Sequence, residues 1–426
     1  MVDSKVAMLQ AIEGDPVGKP KLEYNPYLPS YIASPYEKFD ELRQYSPIFP
    51  YRLTDHREWI LTRFDDIKSV LMDKRFIVEN LPARVPGESS YIQATRAELE
   101  RLKNSLRPWL FSLDPPEHTR FRQLVSRDFT SSMLASLQPY INQQVTLLFR
   151  DLSEHGEIDL MSKLAKPLPL IVSAKLLGID IQNLSELIRH SENLFKIFEQ
   201  PLLYPDYQRM VGSADFFNAL LEKEIQDRKN GLEKDDLLGR LIMKSKTSLS
   251  QTDLVSFVGM LFAVGQETTE NYIGNSVAAL LENEDQYEQL KRDPKLMDIA
   301  ISELGRYDSP VQIISRVASE DVRLGDTVIN QHDRVYLALG AANRDPAQYT
   351  RPEQLSFERS QIFNFPFGNG IHFCLGHVLA KMQLKAVLQH VVAERSLQVD
   401  WTKSVRRKTV VIRGYRSLFL SYSNGA

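Results

Sequence analysis

The stretch FGNGIHFCLGH, Phe367 to His377, holds the only cysteine in a chain of 426 residues, together with three glycines and two histidines. A lone cysteine is most often a small buried hydrophobe, and beside two histidines a metal ligand is the second reading. His372, Cys374 and His377 form H-x-C-x-x-H, but structural zinc takes paired ligands at separated positions. No second cysteine exists to complete such a set. Gly368, Gly370 and Gly376 relax the backbone around the thiol, as needed where a chain turns tightly and approaches a flat partner closely. The sequence that follows, LGHVLAKMQLKAVLQHVV, has helical apolar period, which places Cys374 near a helix N-terminus. There the helix dipole and free backbone N–H groups stabilise a thiolate. One thiolate backed by N–H donors, without other protein ligands, is what an axial haem ligand requires.

Three further groups of residues have chemical spacing. In DPPEHTRFR, His118 and Arg122 stand at i, i+4 on one helix face. In SELGRY, Glu303 and Arg306 form an i, i+3 acid and base pair, and FERS supplies Arg359. Buried, such a pair needs the second arginine and backbone carbonyls as partners, because one unpaired buried charge costs roughly 3 to 5 kcal/mol. In VGQETT, the run Gly265, Gln266, Glu267, Thr268 and Thr269 interrupts an apolar helix with residues that are poor helix formers or costly to bury. A threonine there can bond back to the carbonyl four residues earlier, here Val264, which bends and loosens the helix.

The elements that must position these residues are mostly helical. WILTRFDDIKSVLMDKRF reads as a strand, Trp59 to Thr62, followed by a helix with Asp65 as N-cap. ENLPARVPGESSYIQ reads as loop, and the proline-broken run from Asn80 to Asp114 holds one amphipathic helix, ATRAELERLKNSL. Phe129 to about Leu238 is rich in helix-period apolar residues. The helix beginning SQTDLVSFVGMLFAVGQETTENYIGNSVAALLEN has a capping box at Ser250 and Asp253 and runs for roughly 30 residues, about 45 Å. From Val311 onward, short strand patterns such as DVRLGDTVI and DRVYLALG alternate with turns such as NRDP. There is no internal repeat and no linker-like tract, so residues 1–426 read as one large domain with 1–23 as a flexible N-terminal lead.

Net charge is -3 and the isoelectric point is near 6.3. No global positive field exists to hold nucleic acid or anionic lipid. The longest nearly apolar run, VSFVGMLFAVG, is far below the roughly 20 residues that cross a bilayer, and the N-terminus lacks the apolar core of a signal peptide. The expectation is a cytoplasmic protein with no membrane span, and a single cysteine fits a reducing compartment.

FGNGIHFCLG resembles the haem-binding loop of the cytochrome P450 family of monooxygenases. The resemblance extends through four further motifs in the same order, from about Tyr24 to the C-terminus. It implies a mainly α fold with small β-sheets, in which haem b lies between the long central helix and the helix after the cysteine. Cys374 would be the axial ligand of the haem iron, with Phe367, His372 and Gly376 around it. His118, Arg122, Arg316 of IISRVA and His372 match donors to the haem propionates, and Gly265 faces the cofactor. Glu303, Arg306 and Arg359 match the family's structural ExxR triad. Glu267 and Thr268 match its acid and alcohol pair, in which Thr268 holds a water at the oxygen and Glu267 links it to solvent protons. Val264 departs from the alanine or glycine usual in the family and adds bulk toward the haem.

The resemblance implies a monooxygenase that inserts one atom of dioxygen into a lipophilic small molecule, by hydroxylation or epoxidation, in secondary metabolism. With no fused redox domain, electrons from NAD(P)H would arrive through a separate ferredoxin or flavodoxin and its reductase. Arg120, Arg127, Lys381 and Lys385 offer that partner a basic face or form an ordinary solvated surface. Substrate contacts would come from the Asn80 to Leu113 region, the middle helices, the central helix and the segment after Pro310. Tyr91, Trp109, Phe111 and Ile313 suit an apolar pocket, whereas Arg84, Arg96 and Arg101 suit a carboxylate or solvent. The chain is expected to act as a monomer. The alternative function is a haem-thiolate binding or sensor protein without turnover, and retention of Cys374 speaks against a haemless partner protein.

Overall fold

The computed structural model describes residues 22–51, 57–78, 96–199, 202–231, 234–245, 248–359, 362–394 and 397–422. In chain order, the helices used below are α1 (Phe64–Met72), α2 (Arg96–Leu106), α3 (Glu117–Val125), α4 (Pro167–Leu177), α5 (Leu184–Phe195), α6 (Tyr204–Lys229), α7 (Gln251–Glu282), α8 (Met297–Tyr307) and α9 (His377–Ala393). The strands are β1 (Ile48–Tyr51), β2 (Glu58–Leu61), β3 (Phe76–Ile77), β4 (Glu157–Asp159), β5 (Ile313–Ala318), β6 (Arg334–Ala338), β7 (Leu397–Val399) and β8 (Phe419–Tyr422). The chain forms two compact units. The first comprises Met1–Val78, Ser302–Phe373 and Arg406–Arg413, and the second comprises Glu79–Ile301, Cys374–Val405 and Gly414–Ala426.

The first unit is built on a five-stranded sheet in the order β1-β2-β6-β5-β3. β2 runs parallel to β6 with Leu61 opposite Leu337, and the other neighbours are antiparallel. One apolar cluster joins Leu61, Val335 and Leu337 of the sheet to Ile67 and Val70 of α1. A second joins Ile60, Ile313 and Ala338 to Tyr24, Tyr31, Phe39 and Tyr51. The expected strand at Trp59 to Thr62 begins and ends one residue earlier. The expected cap of α1 by Asp65 is not what forms: Arg63 stands at the N-cap without a side-chain bond. Instead the Phe64 N–H donates to Asp345 Oδ2 at 2.8 Å, so a residue of the NRDP turn caps α1 across 281 positions of sequence. Local pattern cannot reveal a cap supplied by tertiary contact.

The second unit surrounds α7. Its 32 residues run about 48 Å. The predicted start is observed, since Ser250 Oγ accepts the N–H of Asp253 at 3.0 Å. A single apolar cluster packs Phe257, Val258 and Phe262 of α7 with Leu170 of α4, Leu187 of α5, Phe217 and Leu221 of α6 and Leu102 of α2. Gly274 of α7 is needed for close approach: a Cβ there would lie 2.6 Å from Met161 Sδ. A small sheet, β4-β8-β7, closes the unit. Strands of three and four residues carry too little alternation to be read within the helix-rich region. Among the described residues, no helix is long and apolar enough to cross a membrane.

Candidate functional site

The cysteine loop begins in the first unit. Gly368 and Gly370 both have φ of +71°, the left-handed region that favours glycine. At Gly370 the requirement is also steric, because a Cβ would lie 2.3 Å from the Leu71 carbonyl oxygen at the end of α1. Asn369 Oδ1 accepts the Gly370 N–H at 2.8 Å and fixes the turn. Phe367 and His372 lie within this loop, and Arg316 lies on β5, donating to the Ser315 carbonyl at 2.8 Å.

Cys374 opens the segment of the second unit that leads into α9, whose N-cap is Gly376. Burial pushes its thiol up, while the backbone N–H groups of Gly376 and His377 and the charge of Arg122 act in the opposite direction. These two N–H donors belong to the N-terminal turn of α9, as the sequence pattern predicts. His377 Nδ1 is 3.0 Å from the carbonyl oxygen of Cys374 itself. Among the described residues, no three His, Cys, Asp or Glu side chains gather as a metal cluster. On α3, His118 is 2 % exposed and Arg122 is half-buried. Burial pushes the Arg122 guanidinium down, and the facing Cys374 opposes that shift.

α7 carries a distinctive burial pattern. From Leu254 to Leu280 every residue is buried except Leu261, Val264, Gly265 and Thr268. The spacing i, i+3, i+4, i+7 places these four on one stripe of the helix. Thr268 Oγ1 is 3.5 Å from the Val264 carbonyl, a long and weak version of the predicted back-bond. Glu267 is buried beside it at 3 % exposure. Gln266 and Glu270, both fully buried, bond to each other, and Asn271 Nδ2 donates to the Glu267 carbonyl at 2.7 Å. The sequence shows polar residues interrupting this helix but gives no sign that Glu270 and Asn271 continue the buried polar face.

In the first unit, Glu303 and Arg306 of α8 are 0 % and 1 % exposed. Arg306 Nε and one terminal nitrogen each donate to Glu303 at 2.7 Å, in fork geometry. Arg359 Nε donates to the same carboxylate at 2.9 Å, and the Ser356 N–H at 3.1 Å. The remaining Arg306 donors reach the carbonyls of Asn343, Pro352 and Gln354. Asn343 also accepts the Phe365 N–H through Oδ1 at 2.8 Å, tying the segment ahead of the cysteine to the same knot. Neither Asn343 nor Asp345 stands out in the sequence, because NRDP reads simply as a turn.

Of the substrate-contact candidates, Trp109 is buried and Phe111 half-buried in the second unit's apolar cluster. Ile313 instead packs in the core of the first unit's sheet, so it serves that core as a β-strand residue. Arg101 is committed to Asp215 at 3.2 Å and Arg96 is exposed at the start of α2. Tyr91 and Arg84 lie outside the described residues. Of the basic-face candidates, Arg120 is tied to Glu117 and to the Ser248 carbonyl, and Lys385 to Asp298.

The family model for cytochrome P450 matches residues 16–411. The chain belongs to the cytochrome P450 family. It is 31% identical to 6-deoxyerythronolide B hydroxylase of Saccharopolyspora erythraea, over 90% of this chain and 95% of that protein. It is 30% identical to the polyketide biosynthesis cytochrome P450 PksS of Bacillus subtilis, over 95% of this chain and 99% of that one. The crystal structure of P450BioI in complex with an acyl carrier protein ligated to hexadec-9Z-enoic acid matches with a TM-score of 0.85 at 28% identity, covering 92% of this chain and 99% of that one. This P450 is therefore an oxidoreductase of the monooxygenase class that uses haem b, dioxygen and electrons from NAD(P)H. The donor set at Cys374 fits that cofactor: one soft ligand, two backbone N–H groups on the sulfur and, among the described residues, no competing cluster of protein ligands.

Proposed function

We propose that this P450 inserts one oxygen atom into an unactivated carbon of a lipophilic polyketide or fatty-acyl metabolite, by hydroxylation or epoxidation. The observation that carries the reading is the stripe Leu261, Val264, Gly265 and Thr268 on an otherwise buried helix, with Glu267 buried beside it. Haem bound on the Cys374 thiolate supplies the activation of dioxygen, with one atom going to substrate and the other leaving as water. The chain's own residues supply position and protons. The Gly376 and His377 N–H groups bond to Cys374 Sγ and oppose the burial that favours its neutral thiol; on a bound thiolate they would temper how strongly the sulfur donates electron density. His118 and Arg122, one turn apart on α3, bind carboxylates of the cofactor. Thr268 Oγ1, only weakly engaged by the Val264 carbonyl, is available to orient a water, and Glu267 takes and returns the proton at that water. Apolar side chains of the same cluster, Val264, Leu113 and Phe111, exclude bulk water and hold the substrate carbon.

The named relatives act in polyketide biosynthesis, on 6-deoxyerythronolide B, or carry a carrier-bound acyl chain. Those names support a polyketide or fatty-acyl substrate. We take residues 1–426 to work as one monomeric catalytic domain supplied by a separate ferredoxin or flavodoxin. The test is reconstitution with a surrogate ferredoxin, its reductase and NADPH. Substrate-dependent NADPH consumption with oxygenated product supports the reading; haem-bound protein that takes up ligand but never consumes NADPH establishes the sensor alternative.

A further inference from the structure

Thr268, Glu267, Glu270 and Gln266 succeed one another around α7. At about 3.6 residues per turn, Glu267 stands about 100° round the axis from Thr268, Glu270 about 60° further and Gln266 about 40° beyond that. They form a polar arc from the partly exposed stripe to the back of the helix. Along it Glu267 is 3 % exposed, and Glu270 and Gln266 are 0 % exposed. Gln266 Nε2 donates to Glu270 Oε2. Gln266 Oε1 has no hydrogen-bond partner among the described residues.

A second buried oxygen lies on the neighbouring helix. Gln266 shares its face of α7 with Phe262 and Ala263, one turn earlier, and on α5 Ser191 shares a face with Leu187 and Leu194. Those four apolar residues pack in one cluster. Ser191 Oγ, in a residue 1 % exposed, likewise has no partner among the described residues. Buried oxygens left unbonded are costly, and proteins meet the demand with ordered water where polar atoms converge. Gln266 and Ser191 can orient such water without changing charge, whereas a carboxyl can take up and release a proton.

We propose that Glu270 is the relay that resupplies Glu267 with protons, drawing them from ordered water held by Gln266 Oε1 and Ser191 Oγ. This rests on the monooxygenase reading above and adds a positioning residue behind its acid and alcohol pair. In each transfer Glu267 releases a proton to the water at Thr268, and Glu270 passes its carboxyl proton to the Glu267 carboxylate. The Glu270 carboxylate then takes a proton from the ordered water. Neither acid is consumed, and bulk water supplies the net proton.

The test uses the haem-loaded full chain with a surrogate ferredoxin, its reductase and NADPH, without added organic substrate, so that electrons leave as hydrogen peroxide or water. Glu270→Gln keeps the shape and a bond to Gln266 but cannot exchange a carboxyl proton. It should slow water formation about tenfold and divert electrons to hydrogen peroxide, a smaller loss than the roughly 10²-fold or more of a group at the reacting atoms. Glu270→Asp, which restores the carboxyl, should stay within about threefold of wild type. Independently of turnover, infrared spectra of the wild type should show a carboxyl C=O band that shifts in D2O and disappears in Glu270→Gln. Wild-type rates and peroxide yield in Glu270→Gln, or no such infrared band, would leave Glu270 a structural partner of Gln266 and overturn the relay. If Glu270→Gln does not fold, Ser191→Ala decides, because it breaks no hydrogen bond among the described residues. Water formation slowed about threefold in Ser191→Ala supports the relay, and an unchanged rate overturns it. A red-shifted Soret band on carbon monoxide binding alongside any overturning result would sink this inference alone. Absence of that shifted band would remove the monooxygenase reading and this inference with it.

Discussion

Glu303→Ala removes the acceptor of four hydrogen bonds: two from Arg306, one from Arg359 and one from the Ser356 N–H. Arg306, 1 % exposed, keeps three backbone carbonyls but loses its counter-charge. Stranding one charge of a buried pair costs about 3 to 5 kcal/mol, against a total stability of roughly 5 to 15 kcal/mol. With a melting entropy near 2.1 cal/mol/K per residue, a chain of 426 residues loses about 3 to 6 °C in melting temperature. The effect on the cofactor should be larger than this shift suggests. The knot centred on Glu303 holds Pro352, Gln354, Ser356 and Arg359, and Asn343 couples it to Phe365, two residues before the cysteine loop. Loosening it frees the segment that leads into Cys374. Calorimetric melting and the ratio of Soret to protein absorbance should therefore show a destabilised protein that fails to retain haem. Glu303→Gln, which keeps the shape and one acceptor, should lie between. A Glu303→Ala protein with full haem content and an unshifted melting transition would refute the reasoning.

Thr268→Ala should leave folding intact, because the hydroxyl makes only a 3.5 Å contact, yet divert electrons from product to hydrogen peroxide. Without the hydroxyl that orients the water, proton delivery through Glu267 is interrupted and the ratio of product to NADPH consumed should collapse; an unchanged ratio would exclude the role. Gly370→Ala combines a φ of +71° with a Cβ placed 2.3 Å from the Leu71 carbonyl. The backbone conformation alone costs about 1 to 2 kcal/mol, and thermal melts should show at least that loss. Asp308 accepts hydrogen bonds from Tyr36, Arg406 and Arg413. Burial would raise its carboxyl, but Arg413, Arg406 and Arg344 outweigh burial and hold it well below the usual carboxylate range. A pKa depressed by folding contributes stability above the unfolded value of about 4 and loses it as pH falls toward the folded value. Urea unfolding should therefore find Asp308→Asn less stable than wild type at pH 7, with the gap shrinking below about pH 4; a gap independent of pH would contradict this.

What the sequence reveals depends on whether the signal is local. The capping box at Ser250 and Asp253, the helix that follows Cys374 and the back-bond from Thr268 to Val264 are contacts within four residues, and each is legible. The Glu303, Arg306 and Arg359 set is legible as a motif, though its backbone partners at Asn343, Pro352 and Gln354 are not. Residues whose partners lie far along the chain give no signal. Asp345 caps α1 from 281 positions away, so local pattern favours the nearer acid, Asp65, instead. Ile313 looks like a pocket residue because it is apolar and follows Pro310, yet strand pairing turns it into the sheet core. The polar face of α7 is visible only as an interruption, since Glu270 and Asn271 become intelligible once burial on all sides of the helix is known.

The measurement that bears most directly on a cysteine-ligated haem is the absorption spectrum of the purified protein reduced with dithionite and exposed to carbon monoxide. A strongly red-shifted Soret band is the predicted result, because it reports a thiolate on the iron, for which Cys374 is the one cysteine of the chain. A carbonyl band at the unshifted position, or protein without haem, would contradict it.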